Sequence, residues 1–152
     1  MRHLPILLIC GLIVACSATP EIHIAPEPRL PAGRQLEGDP YAAGFGRAYA
    51  FLVAQGFDVQ RQVASTSHPE FEFRATRERT VGGDGTGRRR DEVRVTWRPA
   101  TSGEAIGRVG TTPSTVDIRV TCYELLPAGK WRAVDPEPLR NLAEAIKREF
   151  AP

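Results

Sequence analysis

The stretch Val116-Asp117-Ile118-Arg119-Val120-Thr121-Cys122 alternates apolar and polar side chains. A period of two residues is typical of a β-strand that buries one face and exposes the other. Residues 57–63, 71–75 and 93–97 show the same alternation, and a shorter segment surrounds Trp131. The sequence therefore predicts an antiparallel sheet of four to five strands, with one solvent-exposed face rich in arginine and threonine.

An amphipathic helix is predicted before these strands. Asp39 suits the N-cap and Pro40 the first helical position, and Gly56 is placed to end the helix. Gly44 and Gly46 weaken a helix, and we expect them to allow close packing on the sheet. The apolar stripe of this helix consists of Tyr41, Phe45, Ala48, Tyr49 and Leu52.

A second helix with the same signals is predicted after the strands. Asp135 and Pro136 begin it, and Lys147 and Arg148 lie in its last turn, where the helix dipole favours positive charge. Its apolar stripe consists of Leu139, Leu142, Ala143, Ile146 and Phe150. The predicted fold is therefore α+β: a two-layer sandwich in which an N-terminal and a C-terminal helix cover one face of the four- to five-stranded antiparallel sheet.

The N terminus has the features of an export signal. Arg2 precedes an apolar run over residues 4–15, which is shorter than the ~20 residues that a spanning helix needs and has the length of a signal-peptide core. The run ends in Ile13-Val14-Ala15-Cys16, which resembles the lipobox of bacterial lipoproteins. The resemblance implies that the chain is cut before Cys16, that Cys16 receives diacylglyceryl and palmitate groups, and that Cys10 leaves with the signal. An ordinary signal peptide that contains cysteine is the alternative.

The lipobox also implies a location in the cell envelope. In lipoproteins the residue after the cysteine helps to sort the protein, and Ser17 implies the outer membrane, facing the periplasm, if the organism has one. Residues 16–38 contain four prolines and few large apolar side chains, which predicts a semi-rigid tether. The chain then consists of a signal peptide (1–15), the lipidated cysteine with its tether (16–38) and a single α+β domain (39–152).

Cys122 is the one cysteine that remains after loss of Cys10 and lipidation of Cys16, so the domain has no internal disulfide. It has the same parity as the apolar residues of 116–122, which predicts a thiol on the apolar face of a strand. A nucleophilic or redox-active thiol is the alternative, although no histidine lies near it in the sequence.

No motif of metal or catalytic chemistry stands out. His23 and His68 lie far apart, without cysteines or carboxylates at ligand spacing. We therefore expect no catalytic residues, no metal and no cofactor other than the covalent lipid on Cys16. The formal net charge of +2 includes Arg2, and its removal leaves +1, so we expect no nucleic-acid partner.

Arg88, Arg89 and Arg90 form a basic run. It is a possible anion-binding site for phosphate-bearing partners such as lipopolysaccharide or anionic lipid headgroups. Asp91 and Glu92 follow at once, and the preceding strand contains several glutamates. Cross-strand pairing of opposite charges is therefore the alternative explanation.

The stretch Gly82-Gly83-Asp84-Gly85-Thr86 resembles the GGDGT nucleotide-binding loop of diacylglycerol and related lipid kinases. In that family the loop follows a buried strand, leads toward a helix and belongs to a much larger catalytic domain. Here it lies between a charged segment and a strand. Because glycine and aspartate are also the residues that tight turns require, the stretch predicts a hairpin connection.

The order of helix, four strands and helix is similar to the helix-grip domains of some outer-membrane assembly lipoproteins, without a shared motif. We interpret the chain as a lipid-anchored envelope protein whose domain is a non-catalytic binding or scaffolding module for another envelope protein. A small envelope enzyme acting on cell-wall or lipid material is one alternative, which a pocket with a histidine or a carboxylate pair would favour. An accessory subunit of a transport or outer-membrane assembly complex is another, which a large exposed apolar patch would favour.

Overall fold

The computed structural model describes residues 18–31, 38–65, 70–83, 85–105 and 108–152. Within these ranges the strands are β1 (Ile22–Ile24), β2 (Asp58–Ser65), β3 (Glu70–Val81), β4 (Gly87–Arg98), β5 (Thr101–Ala105), β6 (Arg108–Thr112), β7 (Thr115–Leu125) and β8 (Trp131–Val134). The helices are α1 (Ala42–Ala54) and α2 (Arg140–Arg148), and a short 3-10 helix (Glu137–Leu139) precedes α2.

The main sheet is antiparallel and open, with the order β1-β7-β4-β3-β2. β8 pairs with β7 on the same edge as β1, because β4 occupies the other edge. β5 and β6 form a separate two-stranded sheet. The predicted α+β class, with an antiparallel sheet and two helices, is confirmed. The four alternating segments correspond to β2, β3, β4 and β7, and the segment around Trp131 to β8, whereas β1 and the β5–β6 pair were not predicted.

Each helix follows an aspartate, but neither aspartate is the N-cap residue. Asp39 Oδ1 accepts a hydrogen bond from the Tyr41 amide at 2.8 Å, and the Asp39 carbonyl accepts one from Ala42 at 3.2 Å. Asp135 Oδ1 likewise accepts from the Glu137 amide at 3.0 Å. In both places the carboxylate closes a turn ahead of the helix, so the helices begin later than the sequence predicts.

Gly56 ends α1 as predicted. Its φ is +78°, and the Phe57 amide donates to the Leu52 carbonyl at 3.0 Å, while the Gly56 amide donates to the Val53 carbonyl at 3.0 Å. This pair of bonds is the Schellman motif, in which glycine adopts the left-handed conformation at little cost.

Gly44 allows a close approach between the two helical segments and not, as the sequence suggested, between α1 and the sheet. A Cβ at this position would lie 2.8 Å from the Glu149 carbonyl oxygen and 2.8 Å from the Phe150 ring, whereas a Cβ on Gly46 would have no neighbour within 4 Å. Arg47 Nε donates to the Glu149 carbonyl at 3.1 Å. The C-terminal end of α2 is therefore held against the first turns of α1.

The hydrophobic core lies between the helices and alternate residues of the central strands. The Phe45 ring of α1 lies 4.9 Å from the Phe73 ring and 5.4 Å from the Trp97 ring, centroid to centroid. The buried sheet residues include Phe73, Ala75, Val93, Val95, Val116, Ile118, Val120 and Cys122, and those of the helical segments include Tyr41, Phe45, Ala48, Leu52, Leu139, Ala143, Ile146 and Phe150.

Part of the predicted tether belongs to this fold. β1 pairs Ile22 with Val120 and Ile24 with Ile118, and Ile22 is buried. Arg29 and Ser114 exchange two backbone hydrogen bonds of 3.0 and 2.8 Å. The structure thus differs from an extended tether over residues 22–29. The prolines of this segment flank the Ile-His-Ile triplet and do not interrupt it, so the triplet is free to pair.

Candidate functional site

The predicted lipidation site, Cys16, lies outside the described residues, together with the predicted signal peptide (1–15), Ser17, His68 and Asp84. In the described ranges, no helix has both the length and the apolar character needed to cross a bilayer.

The basic run is divided between the two faces of the sheet, since successive strand residues point in opposite directions. Arg88 Nη2 and Arg90 Nη2 both donate to Glu78, the latter at 2.7 Å. The hydrogen bond from Arg90 and the positive charge of Arg88 hold the pKa of Glu78 below its usual value. Arg89 lies on the other face, opposite Glu124. The three arginines therefore do not converge on one site, and Arg88 and Arg90 share Glu78 as a cross-strand partner.

A cluster of charged side chains lies on the same face of the sheet as the hydrophobic core. Asp91 is fully buried. Its Oδ2 accepts hydrogen bonds from Arg77 Nη2 and Arg79 Nε, both at 3.0 Å, and its Oδ1 accepts one from Arg79 Nη2 at 3.2 Å. Arg77 also donates to the Gln55 carbonyl at 3.0 Å, which joins the cluster to the end of α1. This cluster was not predicted from the sequence, although Arg77, Arg79 and Asp91 share the parity of the buried residues on their strands.

Cys122 has the position that its parity predicts. It is a free thiol, 1% exposed, and its Sγ lies 3.6 Å from Asp91 Oδ1. Burial and the negative charge of Asp91 raise the pKa of the thiol. Because the thiolate is the reactive form, this environment suits a structural residue and not a nucleophile.

The face opposite the core, called the charged face below, contains a row of arginines. Arg74 of β3 lies opposite Arg94 of β4, which lies opposite Arg119 of β7. These three residues, the arginine row, are 41%, 41% and 45% exposed. Their nearest acidic contacts are Arg74 Nε to Glu92 Oε1 (3.6 Å), Arg94 Nε to Glu72 Oε1 (3.5 Å), Arg119 Nε to Asp117 Oδ2 (3.0 Å) and Arg119 Nη1 to Glu21 Oε1 (3.5 Å).

A shallow depression of about 210 Å³ lies beside Arg94 and Arg119. Its other lining residues are Thr19, Glu21, Glu92, Thr121 and Tyr123. Ligand pockets for drug-like molecules are mostly apolar, whereas this lining presents charges of both signs and hydroxyl groups. The depression therefore suits a polar segment of a partner molecule. The depression was not predicted from the sequence, because its residues lie far apart in the chain and only the strand register brings them together.

The Gly-rich stretch is the connection between β3 and β4, which confirms the predicted hairpin. Val81 pairs with Gly87, Gly82 and Gly85 have φ values of 93° and 69°, and the Gly85 amide donates to the Gly82 carbonyl at 3.2 Å. These positive φ values explain why glycine stands at both positions.

The described residues include no group of three or more histidine, cysteine, aspartate or glutamate side chains arranged to hold a metal ion. His23 Nε2 contacts Asp117 Oδ1 on the charged face. This contact places His23 beside the ion pair between Arg119 and Asp117.

Comparison with known proteins gives no assignment: no family model, no curated protein and no solved structure matches this chain. The function is therefore argued from the residues and their geometry.

Proposed function

We propose that this chain is a lipid-anchored cell-envelope protein whose domain is a non-catalytic binding module. The lipobox at residues 13–16 supports lipidation of Cys16, and Ser17 supports the outer membrane, facing the periplasm, where the organism has one. In this proposal α1 and α2 form one layer on the apolar face of the sheet, and the charged face binds a protein of the envelope.

The observation that carries the binding role is the arginine row. Cross-strand pairing places Arg74, Arg94 and Arg119 side by side across three strands, so a single partner surface can contact all three. Exposed ion pairs contribute little to stability, and a guanidinium has five donors, more than the ion pairs of 3.0–3.6 Å in this row use. The remaining donors are available to carboxylates and carbonyls of a partner.

The mixed charge of this face favours a protein over a simple anion. On the charged face, acidic residues lie between the arginines and pair with them, among them Glu72, Glu92 and Asp117. A surface with both signs is matched best by another surface of mixed charge, and complementary patterns give specificity more than raw affinity.

The test begins with mass spectrometry of the mature protein, which is expected to show a lipid-modified Cys16 at the N terminus. The lipoprotein is then used to capture partners from detergent-solubilised envelopes, beside a variant that carries Arg94→Glu and Arg119→Glu. We expect the variant to lose a partner that the native protein captures. Arg140→Glu is the matched control, because Arg140 is 52% exposed and ion-paired with Glu137 on a helix. An unmodified N terminus, or a partner retained by the double variant, contradicts the proposal.

One observation favours an envelope enzyme as a second candidate: Glu21 and Glu92 both line the depression on the charged face. Paired carboxylates are the usual machinery of glycoside hydrolysis. Each of these glutamates, however, forms an ion pair with an arginine. Release of soluble fragments from purified cell-wall material, abolished by Glu92→Gln, would support the enzyme over the binding module.

The accessory-subunit alternative has less support. Its sign would be a large exposed apolar patch. The large hydrophobic residues that are exposed within the described part are Leu30, at 60%, and Val53, at 49%. They belong to different segments, the N-terminal stretch and α1.

A further inference from the structure

The described part of the N-terminal segment leads from β1 toward one end of the sheet. β1 begins at Ile22, opposite Val120, and Thr19 and Tyr123 line the same depression. Going backwards from β1, the chain therefore runs in the direction in which β7 continues to Leu125. That end also contains the β3–β4 and β7–β8 connections. We call residues 78–83, 85–90 and 124–132 the hairpin end.

The chain between the proposed anchor and β1 is short. Ile22 follows Cys16 by 22 − 16 = 6 residues, and an extended chain spans about 3.3–3.6 Å per residue, or about 20 Å in all. If Cys16 is lipidated, as the proposed function states, the sheet is held within that distance of the bilayer surface. The long tether expected from the prolines is not available to lift the domain away.

The hairpin end is positively charged, and the other end is not. Its basic residues are Arg79, Arg88, Arg89, Arg90, Lys130 and Arg132, and its acidic residues are Glu78 and Glu124, which gives 6 − 2 = +4. Asp84, which lies between Gly83 and Gly85 in the sequence, lowers the formal charge of these chain segments to +3. At the opposite end of β3, β4 and β7, residues 70–73, 95–100 and 113–117 contain one arginine and three acidic residues, which gives 1 − 3 = −2. The end next to the anchor is thus the end that an anionic surface attracts.

An aromatic side chain suited to a membrane interface lies at this end. The Arg90 guanidinium carbon is 4.3 Å from the centroid of the Trp131 ring, and Trp131 pairs with Leu125 across the β7–β8 ladder. Tryptophan beside arginine is typical of the headgroup region, where an apolar ring and a charge are both accommodated.

We infer that the hairpin end rests on the bilayer and that its arginines contact anionic lipid headgroups. The inference rests on the proposed lipid anchor, which keeps the arginines near the surface, whereas attraction to anionic lipid falls off within a Debye length of about 8–10 Å. Attachment comes from the acyl chains. The arginines set the orientation, so that the charged face stands beside the bilayer and remains open to a partner.

Tryptophan fluorescence tests this orientation, because the two tryptophans of the chain lie at opposite ends of the sheet. Trp131 is at the hairpin end, and the Trp97 indole donates to Asp39 at the other end. The full mature lipoprotein is reconstituted into vesicles of phosphatidylcholine, with or without phosphatidylglycerol, containing a lipid with a quencher at headgroup depth. We expect quenching to increase with phosphatidylglycerol, to decrease at high salt and to be lost in Trp131→Phe.

Arg88→Gln and Arg98→Gln provide a matched pair of variants. Both arginines lie on β4, are 56% and 55% exposed, and form an ion pair with one glutamate each, but only Arg88 is at the hairpin end. Arg88→Gln is expected to weaken the phosphatidylglycerol-dependent quenching, and Arg98→Gln to leave it unchanged. Equal quenching in both kinds of vesicle, or equal effects of the two variants, overturns the inference.

Two further outcomes are distinguished. If quenching of Trp131 requires an added envelope extract and not phosphatidylglycerol, the hairpin end binds a protein, and the inference is overturned while the lipid anchor stands. If mass spectrometry shows Cys16 unmodified, the proposed function fails, and the mature protein is instead mixed with preformed vesicles. Co-sedimentation with phosphatidylglycerol vesicles but not with phosphatidylcholine vesicles then supports the hairpin-end contact, and its absence overturns it.

Discussion

The two ends of the sheet each contain an aspartate, and the two carboxylates are stabilised in different ways. Asp39 accepts hydrogen bonds from neutral donors. Its Oδ1 is 2.8 Å from the Tyr41 amide, 3.1 Å from Trp97 Nε1 and 2.9 Å from Ser114 Oγ, and its Oδ2 is 2.9 Å from the Ala100 amide. One side chain thereby joins the start of α1 to the end of β4 and to the residue before β7.

Asp91, next to the hairpin end, accepts hydrogen bonds from charged donors. Arg77 and Arg79 contact it while 27% and 35% exposed themselves. Hydrogen bonds from an arginine to a carboxylate depend on both charges, whereas bonds from an amide, an indole or a hydroxyl need only an acceptor in the right place. The comparison separates a carboxylate that acts through geometry from one that acts through charge.

The largest expected effect is that of Asp39→Ala. The substitution leaves the Tyr41 and Ala100 amides without their acceptor, whereas Trp97 Nε1 still donates to Ser114 Oγ at 3.0 Å and Ser114 Oγ to the Arg98 carbonyl at 3.2 Å. At about 1–3 kcal/mol for each unsatisfied donor, we expect a loss of about 3 kcal/mol of unfolding free energy. Asp39→Asn retains Oδ1, which accepts three of the four bonds, so we expect a loss of about 1–2 kcal/mol. Urea denaturation of the full chain measures both, and equal losses for the two variants would contradict a role through geometry.

At Asp91, the asparagine substitution is expected to retain much less of the unfolding free energy, relative to alanine, than it does at Asp39. Asp91→Asn removes the charge that neutralises Arg77 and Arg79 and places an NH₂ group against their donors. Breaking a buried ion pair costs about 3–5 kcal/mol, and because both arginines reach water we expect about 2 kcal/mol for asparagine and slightly more for alanine. High salt should reduce the loss at Asp91, since it screens the two arginines, and should leave the loss at Asp39 unchanged. If asparagine preserved full stability at both sites, the two carboxylates would not differ in their dependence on charge.

The sequence predicted the parts of the fold that depend on apolar periodicity. The alternation of Phe73 and Ala75, and of Val93 and Val95, continues for several residues and therefore identifies β3 and β4. β1 contributes three residues between prolines, and β5 and β6 alternate little, so neither has a period to detect. The pairing of Ile22 with Val120 joins distant parts of the chain and is not visible in local patterns.

The charged groups were harder to place than the apolar ones. Arg88, Arg89 and Arg90 are adjacent in the sequence, yet strand geometry separates Arg89 from its neighbours. Arg74, Arg94 and Arg119, which are far apart in the sequence, become neighbours only through the register of the sheet. A pattern of charges therefore indicates a site when the strand pairing is known, and not before.

Gly44 tests how tightly the structure is packed at the Asp39 end, where the helices approach each other. Alanine is the better helix former by about 1 kcal/mol, but its Cβ would meet Glu149 and Phe150 at 2.8 Å. Overpacking costs about 1–3 kcal/mol, so we expect Gly44→Ala to be destabilising by about 1 kcal/mol. Gly46→Ala is the matched control, because its Cβ has no neighbour within 4 Å, and it should stabilise by up to about 1 kcal/mol. Stabilisation by both variants in thermal denaturation would show that the helices can separate at Gly44.

The smallest effect is expected for Glu78→Gln, which tests charge pairing at the hairpin end without burial. Glu78 is 37% exposed and accepts from Arg88 and Arg90, and exposed pairs contribute little. Since its pKa is lowered by the Arg90 hydrogen bond and the Arg88 charge, its contribution is present above the pKa of the unfolded state and is lost as the pH falls through the lower pKa of the folded state. The native protein and the variant should therefore differ slightly in urea midpoint at neutral pH and converge on acidification. A difference as large as that of Asp91→Asn, or one that grows as the pH falls, would show that exposed charge pairing at this end stabilises the sheet as strongly as the buried carboxylate does.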